Sequence, residues 1–285
     1  MNVKRIKKWD SLAETWHDAG PPASPSPDDL KIYTRFLRRA VKNVDSPKIM
    51  ILGSTPRLRT LVARLEVPVT CVDISKRMLT KTSRLVTHKN TRERLVCQDW
   101  LHLDLPGPKF CAIVGDKILD NVPYERWLLL KERLIAHLRN GACFITRVAP
   151  QDRSLCESSF DGLLKKWAGQ YDDGVLSLQK AASGLWEQTL GASAQTIPGK
   201  QSISIFNEEI KYLEQIKERL RPSEAALISE FTKLFGKSLR YEWTAYTLGN
   251  VIDALAEELT LVNMDRARDY AAARRQPILM FKYSG

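Results

Sequence analysis

Cysteine and histidine are scarce in this chain, with five of the first and four of the second among 285 residues. The cysteine count is odd, no Cys-x-x-Cys pair exists, and no histidine stands at metal-ligand spacing, which argues against a structural zinc site. Cys71, Cys97, Cys111 and Cys143 fall inside apolar strand-like runs and Cys156 lies just beyond. Reduced, buried thiols are the expectation. No apolar run reaches the roughly 18 residues that a membrane-spanning helix needs. The basic start Met1 to Lys8 leads into Trp9-Asp10-Ser11 in place of the apolar core of a signal sequence, so a cytoplasmic location is expected.

What is present is ordinary for a soluble globular chain long enough to bury a full core, with 44% apolar and 27% charged residues. The charge is unbalanced: 44 lysines and arginines against 33 acids give a net +11. That excess raises a nucleic-acid partner. The cations are nevertheless scattered, at Lys4 to Lys8, Arg57 and Arg59, Lys76 to Arg84, Lys165 and Lys166, Arg274 and Arg275, and no recognisable nucleic-acid-binding module accompanies them. A solvated face, or attraction for an acidic small substrate, explains them equally well.

The periodicity predicts three regions. Residues 1–45 read as an N-terminal helical lid in two pieces. The first, Lys8 to Ala19, carries Trp9, Leu12, Ala13 and Trp16 on one face. After the breaker Gly20 to Pro27, a second helix is capped by Ser26 with Pro27 at its first position and Asp28 and Asp29 at the positive end of its dipole. Residues 46–150 then alternate strand and helix, with strands at 48–52, 69–74, 94–99, 111–115 and 142–147, and Asn140-Gly141 closing the helix 124–138. Residues 151–240 read as a helical insertion without a convincing strand, its clearest helices at 206–220 and 223–239, the latter capped by Ser223. Residues 241–285 return to the core with a helix at 249–259 and strands at 259–263 and 276–283. The link between those two strands is too short for a comfortable helical crossover, so an antiparallel pair is expected. The fold class is α/β: a doubly wound, mostly parallel seven-stranded sheet with an antiparallel last strand, N-terminal helices and a helical insertion after strand 5.

The most telling stretch is Ile49-Met-Ile-Leu-Gly53-Ser54-Thr55-Pro56, followed twenty residues after Gly53 by Asp73 at the end of the second strand. A strand, a glycine turn opening a helix, and an acid on the next strand end hold a nucleotide-type ligand in such sheets. Two of the three glycines that cradle a pyrophosphate are missing, so a ligand with a ribose and no phosphate fits better. Each residue has a plainer reading: Gly53 as a turn, Asp73 and Asp99 as caps, Gly115-Asp116 as turn chemistry. Their order on one carboxyl edge favours the ligand.

Taken with the strand order, these motifs make residues 48–147 and roughly 241–283 resemble the class I S-adenosylmethionine-dependent methyltransferases. The resemblance implies S-adenosyl-L-methionine as cofactor and a set of residues that would bind it. Gly53, Ser54 and Thr55 would form the first turn, Asp73 would bind both ribose hydroxyls, and Ile74 and Met78 would lie against the adenine. Asp99 would accept from the adenine amino group, with the Trp100 backbone amide reaching the ring. Asp116 and Lys117 would lie beneath the methionine half. Asn121-Val122-Pro123-Tyr124 resembles an Asn-Pro-Pro-Tyr methylation motif, but lies several residues past the strand end and leads into a helix, so Pro123 reads as a helix-start proline and Tyr124 as packing.

Methyl transfer asks mainly for alignment and exclusion of water, with a base only where the acceptor must lose a proton. Trp16, Tyr33 and Arg147 are the candidate substrate contacts, with Trp186 and Trp243 as further walls, and His17 and Asp116 are the candidate bases. Core packing, a surface histidine and a solvent-facing Arg147 are the alternatives. The expected acceptor is a small molecule methylated on O or N, with secondary metabolism as a candidate setting. RNA or protein methylation by way of the basic surface, and a non-catalytic binding or scaffold protein, remain open alternatives.

Overall fold

The computed structural model describes residues 3–14, 16, 20–150, 159–193, 201–202, 204–236, 242–243, 246–270 and 272–285; His17, Cys156 and the side chain of Trp243 lie outside the description. The chain divides into two compact units, Met1–Ala149 with Gly249–Gly285, and Pro150–Leu248.

The first unit is built on a seven-stranded sheet. Its strands are β1 (Ile49–Leu52), β2 (Val69–Asp73), β3 (Glu93–Cys97), β4 (Phe110–Asp116), β5 (Leu138–Arg147), and, at the far end of the chain, β8 (Leu259–Asp265) and β9 (Ile278–Tyr283). The order across the sheet is β3-β2-β1-β4-β5-β9-β8, with β9 antiparallel to both its neighbours and the remaining pairs parallel. The central strand β1 is buried at every position, as a parallel strand covered by helices on both faces must be. The edge strand β3 instead leaves Leu95 43% exposed and Cys97 at the surface, so the thiol expected to be buried there is not. Burial does push the Cys143 thiol up to about 11.

The helices around this sheet are α1 (Val3–Leu12), α2 (Pro27–Val41), α3 (Pro56–Ala63), α4 (Lys76–Thr82), α5 (Trp127–His137) and α10 (Leu248–Leu255). α2 opens as its sequence dictates. Ser26 Oγ accepts from the Asp29 amide at 3.0 Å, and Asp29 Oδ2 accepts from the Ser26 amide at 2.9 Å, which satisfies two of the helix's orphan donors. Its apolar face, with Tyr33, Phe36 and Leu37, packs into the main core over β4, β5 and β9.

The register lines up the carboxyl ends of the strands. Leu52 faces Val72 on one side and Gly115 on the other, Asp73 faces Cys97, and Asp116 faces Arg147. Gly53, Asp73, Asp116 and Arg147 therefore reach one edge, where doubly wound sheets bind ligands. Gly115 has no room for a side chain: a Cβ there would lie 2.5 Å from Ile118 Cδ1 and 2.8 Å from the Leu52 carbonyl oxygen. Gly115→Ala is expected to cost about 1–3 kcal/mol by overpacking, measured by urea unfolding at unchanged m-value.

Several boundaries differ from the sequence expectation. α1 starts earlier, because Val3, Ile6, Trp9 and Leu12 carry the apolar spacing toward the amino terminus. α5 ends at His137, and Asn140-Gly141 lies inside β5. There β4 advances from Phe110 to Ala112 while β5 advances from Leu138 to Cys143, so the extra residues bulge, with Gly141 at φ 77°. Pro123 precedes a single 3₁₀ turn, Tyr124–Arg126, and Tyr124 sits 5.0 Å from the Trp127 ring at the surface.

The second unit holds α6 (Phe160–Asp172), α7 (Leu178–Ser193), α8 (Ser204–Gln215) and α9 (Pro222–Phe235) around a core of its own that includes Phe160, Leu164, Leu227 and Phe231. Trp186 belongs to that core, stacked on Phe235 at 4.7 Å. A short antiparallel pair, β6 (Gln201–Ser202) with β7 (Glu242–Trp243), appears where no strand was expected. α9 begins one residue earlier than expected: Pro222 takes its first position, and Glu224 reaches back to the Arg221 amide and guanidinium.

Candidate functional site

The turn after β1 and the end of β2 are tied together by one carboxylate. Gly53 adopts φ 81°, which favours glycine, and its amide donates to the Val72 carbonyl at 2.8 Å. The chain then turns so that the Ser54 amide and hydroxyl both donate to Asp73 Oδ2, at 3.0 and 2.9 Å. Asp73 Oδ1 accepts from the Ser75 amide at 2.8 Å. Ser75 caps α4, its hydroxyl oxygen accepting from the Met78 amide at 2.9 Å. Asp73 is 5% exposed, and burial pushes its carboxyl above the usual carboxylate range while the Ser75 and Ser54 bonds pull it back. Thr55 precedes α3 without a side-chain capping bond.

Around this carboxylate stand the other residues of the adenosine half of the expected set. Ile74 and Met78 are buried beside it in the chain. Asp99 caps a 3₁₀ turn through Oδ1, accepting from the Leu101 amide at 3.1 Å. Trp100 does more than lend a backbone amide. Its indole nitrogen donates to the Val72 carbonyl at 3.0 Å, and its ring lies 3.6 Å from where a Gly53 Cβ would be. The space above the lone glycine is thus lined by an aromatic ring.

α1 lies against the same edge. Asp10 Oδ1 accepts from the Ser75 hydroxyl at 2.5 Å, Arg5 Nη1 stands 3.6 Å from Asp99 Oδ2, and Glu14 pairs with Arg77 and Lys81 of α4. Burial and the neighbouring Arg5 guanidinium push the Lys8 ammonium down to about 7. Trp16 contacts Trp9 edge-on at 6.1 Å. Asp10 and Arg5 were not anticipated, since nothing local in a basic amphipathic helix names the strand ends it will meet.

At β4 and β5 the edge has a different character. Arg147 is fully buried and spends all five guanidinium donors inside the protein. Nε and Nη2 each donate at 2.8 Å to one oxygen of Asp116, Nη1 donates to Asp29 Oδ2 at 2.8 Å and Tyr270 Oη at 2.9 Å, and Nη2 also reaches the Pro22 carbonyl at 3.0 Å. Tyr33, equally buried, accepts from the Arg147 amide at 2.8 Å and donates toward the Gly115 carbonyl or Asp116 Oδ1, at 3.0 and 3.2 Å. Neither a free substrate contact nor a solvent-facing charge describes Arg147, and Tyr33 offers no free hydroxyl. Asp116 already shares both oxygens with a guanidinium, which leaves it poorly placed to act as a base or to meet a cofactor. Burial pushes the Asp29 carboxyl up against the pull of Arg147, and its Oδ1 has no hydrogen-bond partner. Lys117, at φ 55°, donates its amide to the Arg147 carbonyl at 3.1 Å.

Among the described residues no group of three histidine, cysteine, aspartate or glutamate side chains is placed to hold a metal, and no helix is long and apolar enough to cross a membrane.

No protein-family model and no curated sequence matches the chain. Solved structures do. The methyltransferase CcbJ from Streptomyces caelestis is similar at a TM-score of 0.57 and 14% identity, covering 99% of both chains. The N-methyltransferase NodS from Bradyrhizobium japonicum WM9, solved with S-adenosyl-L-homocysteine, is similar at 0.52 and 10%, again over 99% of both chains. A protein from Rhodobacter sphaeroides described as a putative Zn-dependent alcohol dehydrogenase reaches 0.55 and 13% over the whole of both. At such identities the likeness establishes the fold, the α/β architecture of class I methyltransferases, and leaves function to the site.

Proposed function

We propose that this protein transfers a methyl group from S-adenosyl-L-methionine to the O or N of a small molecule. The observation that carries the reading is the Ser54–Asp73–Ser75 knot: a buried carboxylate at the end of β2, bonded to the turn after β1, on the edge where this fold takes its ligands. The similarity to CcbJ and NodS, both described as methyltransferases, supports it.

The residues fit the adenosine half of such a cofactor. A carboxylate offers about four lone-pair sites. Ser54 and Ser75 take three on Asp73, so one ribose hydroxyl can be accepted at once, and the second once the Ser54 hydroxyl turns away. Asp99 keeps one oxygen without a short hydrogen bond, facing Arg5, for an adenine amino group. Ile74 and Met78 supply apolar contact for the base, and Trp100 walls the turn. When bound, S-adenosylmethionine supplies an electrophilic methyl group on a sulfonium. The chain's part is then to orient the acceptor and exclude water, and α1 lies where it can do the second. The Arg147 network fixes the floor at β4 and β5 and takes no part in proton transfer.

A second reading, a binding protein without turnover, draws on the contacts of Asp10 and Arg5 with Ser75 and Asp99. Calorimetric titration with S-adenosylmethionine, S-adenosylhomocysteine and NAD decides between them and a dinucleotide enzyme. Binding of the first two and not the third is expected, followed by methyl transfer in a screen of small acceptors. Absence of binding by either sulfur ligand removes the methyltransferase reading, and binding without transfer to any acceptor favours the second.

A further inference from the structure

The opposite edge of the sheet carries a cavity that the methyl-transfer reading does not use. Its volume is about 260 Å³, and it lies among the amino-terminal ends of β1, β2, β3 and β4. Lys48, Arg92, Arg94, Lys109 and His137 line it together with Thr70, and the lining contains no acidic residue. The rest of the wall is apolar or backbone, including the stiff loop Leu105-Pro-Gly-Pro108.

Four cations around one small cavity need an explanation. No carboxylate neutralises the group: none of the ion pairs among the described residues involves these four. The nearest acid in sequence, Glu93, projects from the other face of β3, where Arg59 holds it through Nε at 2.8 Å and Nη2 at 2.7 Å. The carboxyl end of α5 does abut the cavity, through Ala136 and His137, but a helix terminus carries only about half a negative charge, enough to attract one cation and not four. Like charges gathered without a partner repel one another, so an anion placed among them gains both attraction and relief.

The rim is also set in advance. The Leu105 amide donates to His137 Nε2 at 3.2 Å, and His137 Nδ1 meets the Arg133 carbonyl at 2.7 Å, which fixes the ring's orientation and pins the start of the proline loop. At its other end Arg139 Nε donates to the Lys109 carbonyl at 2.9 Å. A loop with two prolines, tied at both ends, has little left to lose on binding.

The geometry points to a second ligand site, for a phosphate group, at the amino-terminal edge of the sheet. Two arginines offer planar forks for its oxygens and two lysines add point charges, with the Thr70 hydroxyl as a further polar group. The phosphate can belong to a small phosphorylated molecule or to a nucleic-acid backbone, which is the chemistry a chain of net charge +11 would attract. The proposal does not depend on methyl transfer, because the two edges lie at opposite ends of the same strands.

The test is titration of the full chain with inorganic pyrophosphate, against sodium chloride matched for ionic strength, read by calorimetry and by the melting temperature. Arg92 and Arg94 are exposed, so the variant Arg92→Gln/Arg94→Gln should fold normally. Pyrophosphate is expected to raise the wild-type melting temperature beyond matched salt, and its affinity is expected to fall at least tenfold in that variant. The control Lys180→Gln/Lys233→Gln, two exposed lysines of the helical unit, should leave the affinity unchanged. A short oligouridine that binds with a steep salt dependence and is displaced by pyrophosphate would identify the backbone as the natural source. Oligouridine that neither binds nor competes, with pyrophosphate binding intact, would identify a small phosphorylated ligand. The proposal is overturned if pyrophosphate acts no more strongly than matched salt, or if both variants lose the same affinity.

Discussion

Arg147→Ala should be the most destabilising single substitution in the sheet-bearing unit. The change removes the guanidinium that pairs with Asp29 and Asp116, each within 2.8 Å and all three side chains at most 3% exposed. Truncating one member of a buried ion pair costs about 3–5 kcal/mol, because the partner is left charged without water. Here two carboxylates are stranded, along with the Tyr270 hydroxyl and the Pro22 carbonyl. Against a total stability of about 5–15 kcal/mol the loss is large, and a domain of this size gives up about 2–4 °C of melting temperature per kcal/mol. A drop on the order of 10 °C is therefore expected by scanning calorimetry. The pH dependence supplies a second readout. In the variant, Asp29, whose carboxyl burial already raises, loses the opposing pull of Arg147, so the folded state binds more protons and its deficit shrinks as the pH falls through the carboxylate range. Arg147→Lys should recover the charge and little of the geometry, since a lysine cannot serve five acceptor positions with three donors. A loss below about 1 kcal/mol for Arg147→Ala would show the network to be dispensable.

The contrast between this network and the rest of the edge explains what the sequence could reveal. Strand ends announce themselves: Gly53 after an apolar run, and Asp73 and Asp116 where apolar runs stop, each follow from local chemistry, and so does the capping box of Ser26 and Asp29. The directions of the strands, parallel in the first five and antiparallel in the last pair, followed from their alternation with helices and from the short link before β9. Arg147 was visible only as an arginine at a strand end. Its partner Asp29 lies 118 residues away and already had a sufficient local role as a capping residue, so no periodicity or spacing joined the two. Asn140-Gly141 misled for a related reason. The same dipeptide stops a helix or forms a bulge, and only pairing with β4 decides which. The cations of the amino-terminal cavity, dispersed over Lys48, Arg92, Arg94 and Lys109, look like random surface charge until four strands are laid side by side.

Asp73→Asn should separate the cofactor role of this carboxylate from its structural one. The substitution is nearly isosteric but replaces one acceptor oxygen by an NH₂ that faces donors, the Ser54 amide and hydroxyl or the Ser75 amide. Losing one charged hydrogen bond costs about 1.5–3 kcal/mol, so some loss of stability is expected whatever the site binds. A cofactor role adds an effect on affinity. If Asp73 accepts from a ribose hydroxyl, S-adenosylhomocysteine binding should weaken about 10- to 150-fold by the same charged-bond energy, measured calorimetrically at a temperature where the variant is folded. Ser54→Ala is the informative companion. It removes one of the three donors that occupy Asp73 and frees a lone pair on Oδ2 without touching the negative charge. In a purely structural knot the two variants both lose stability and leave affinity alone. In a ribose site they diverge: Asp73→Asn loses affinity, and Ser54→Ala keeps or improves it, because its hydroxyl no longer competes with the ligand for the same oxygen. Affinity unchanged in Asp73→Asn would mean that the carboxylate only staples the turn after β1 to β2, and the cofactor, if bound at all, would have to be sought elsewhere along the edge.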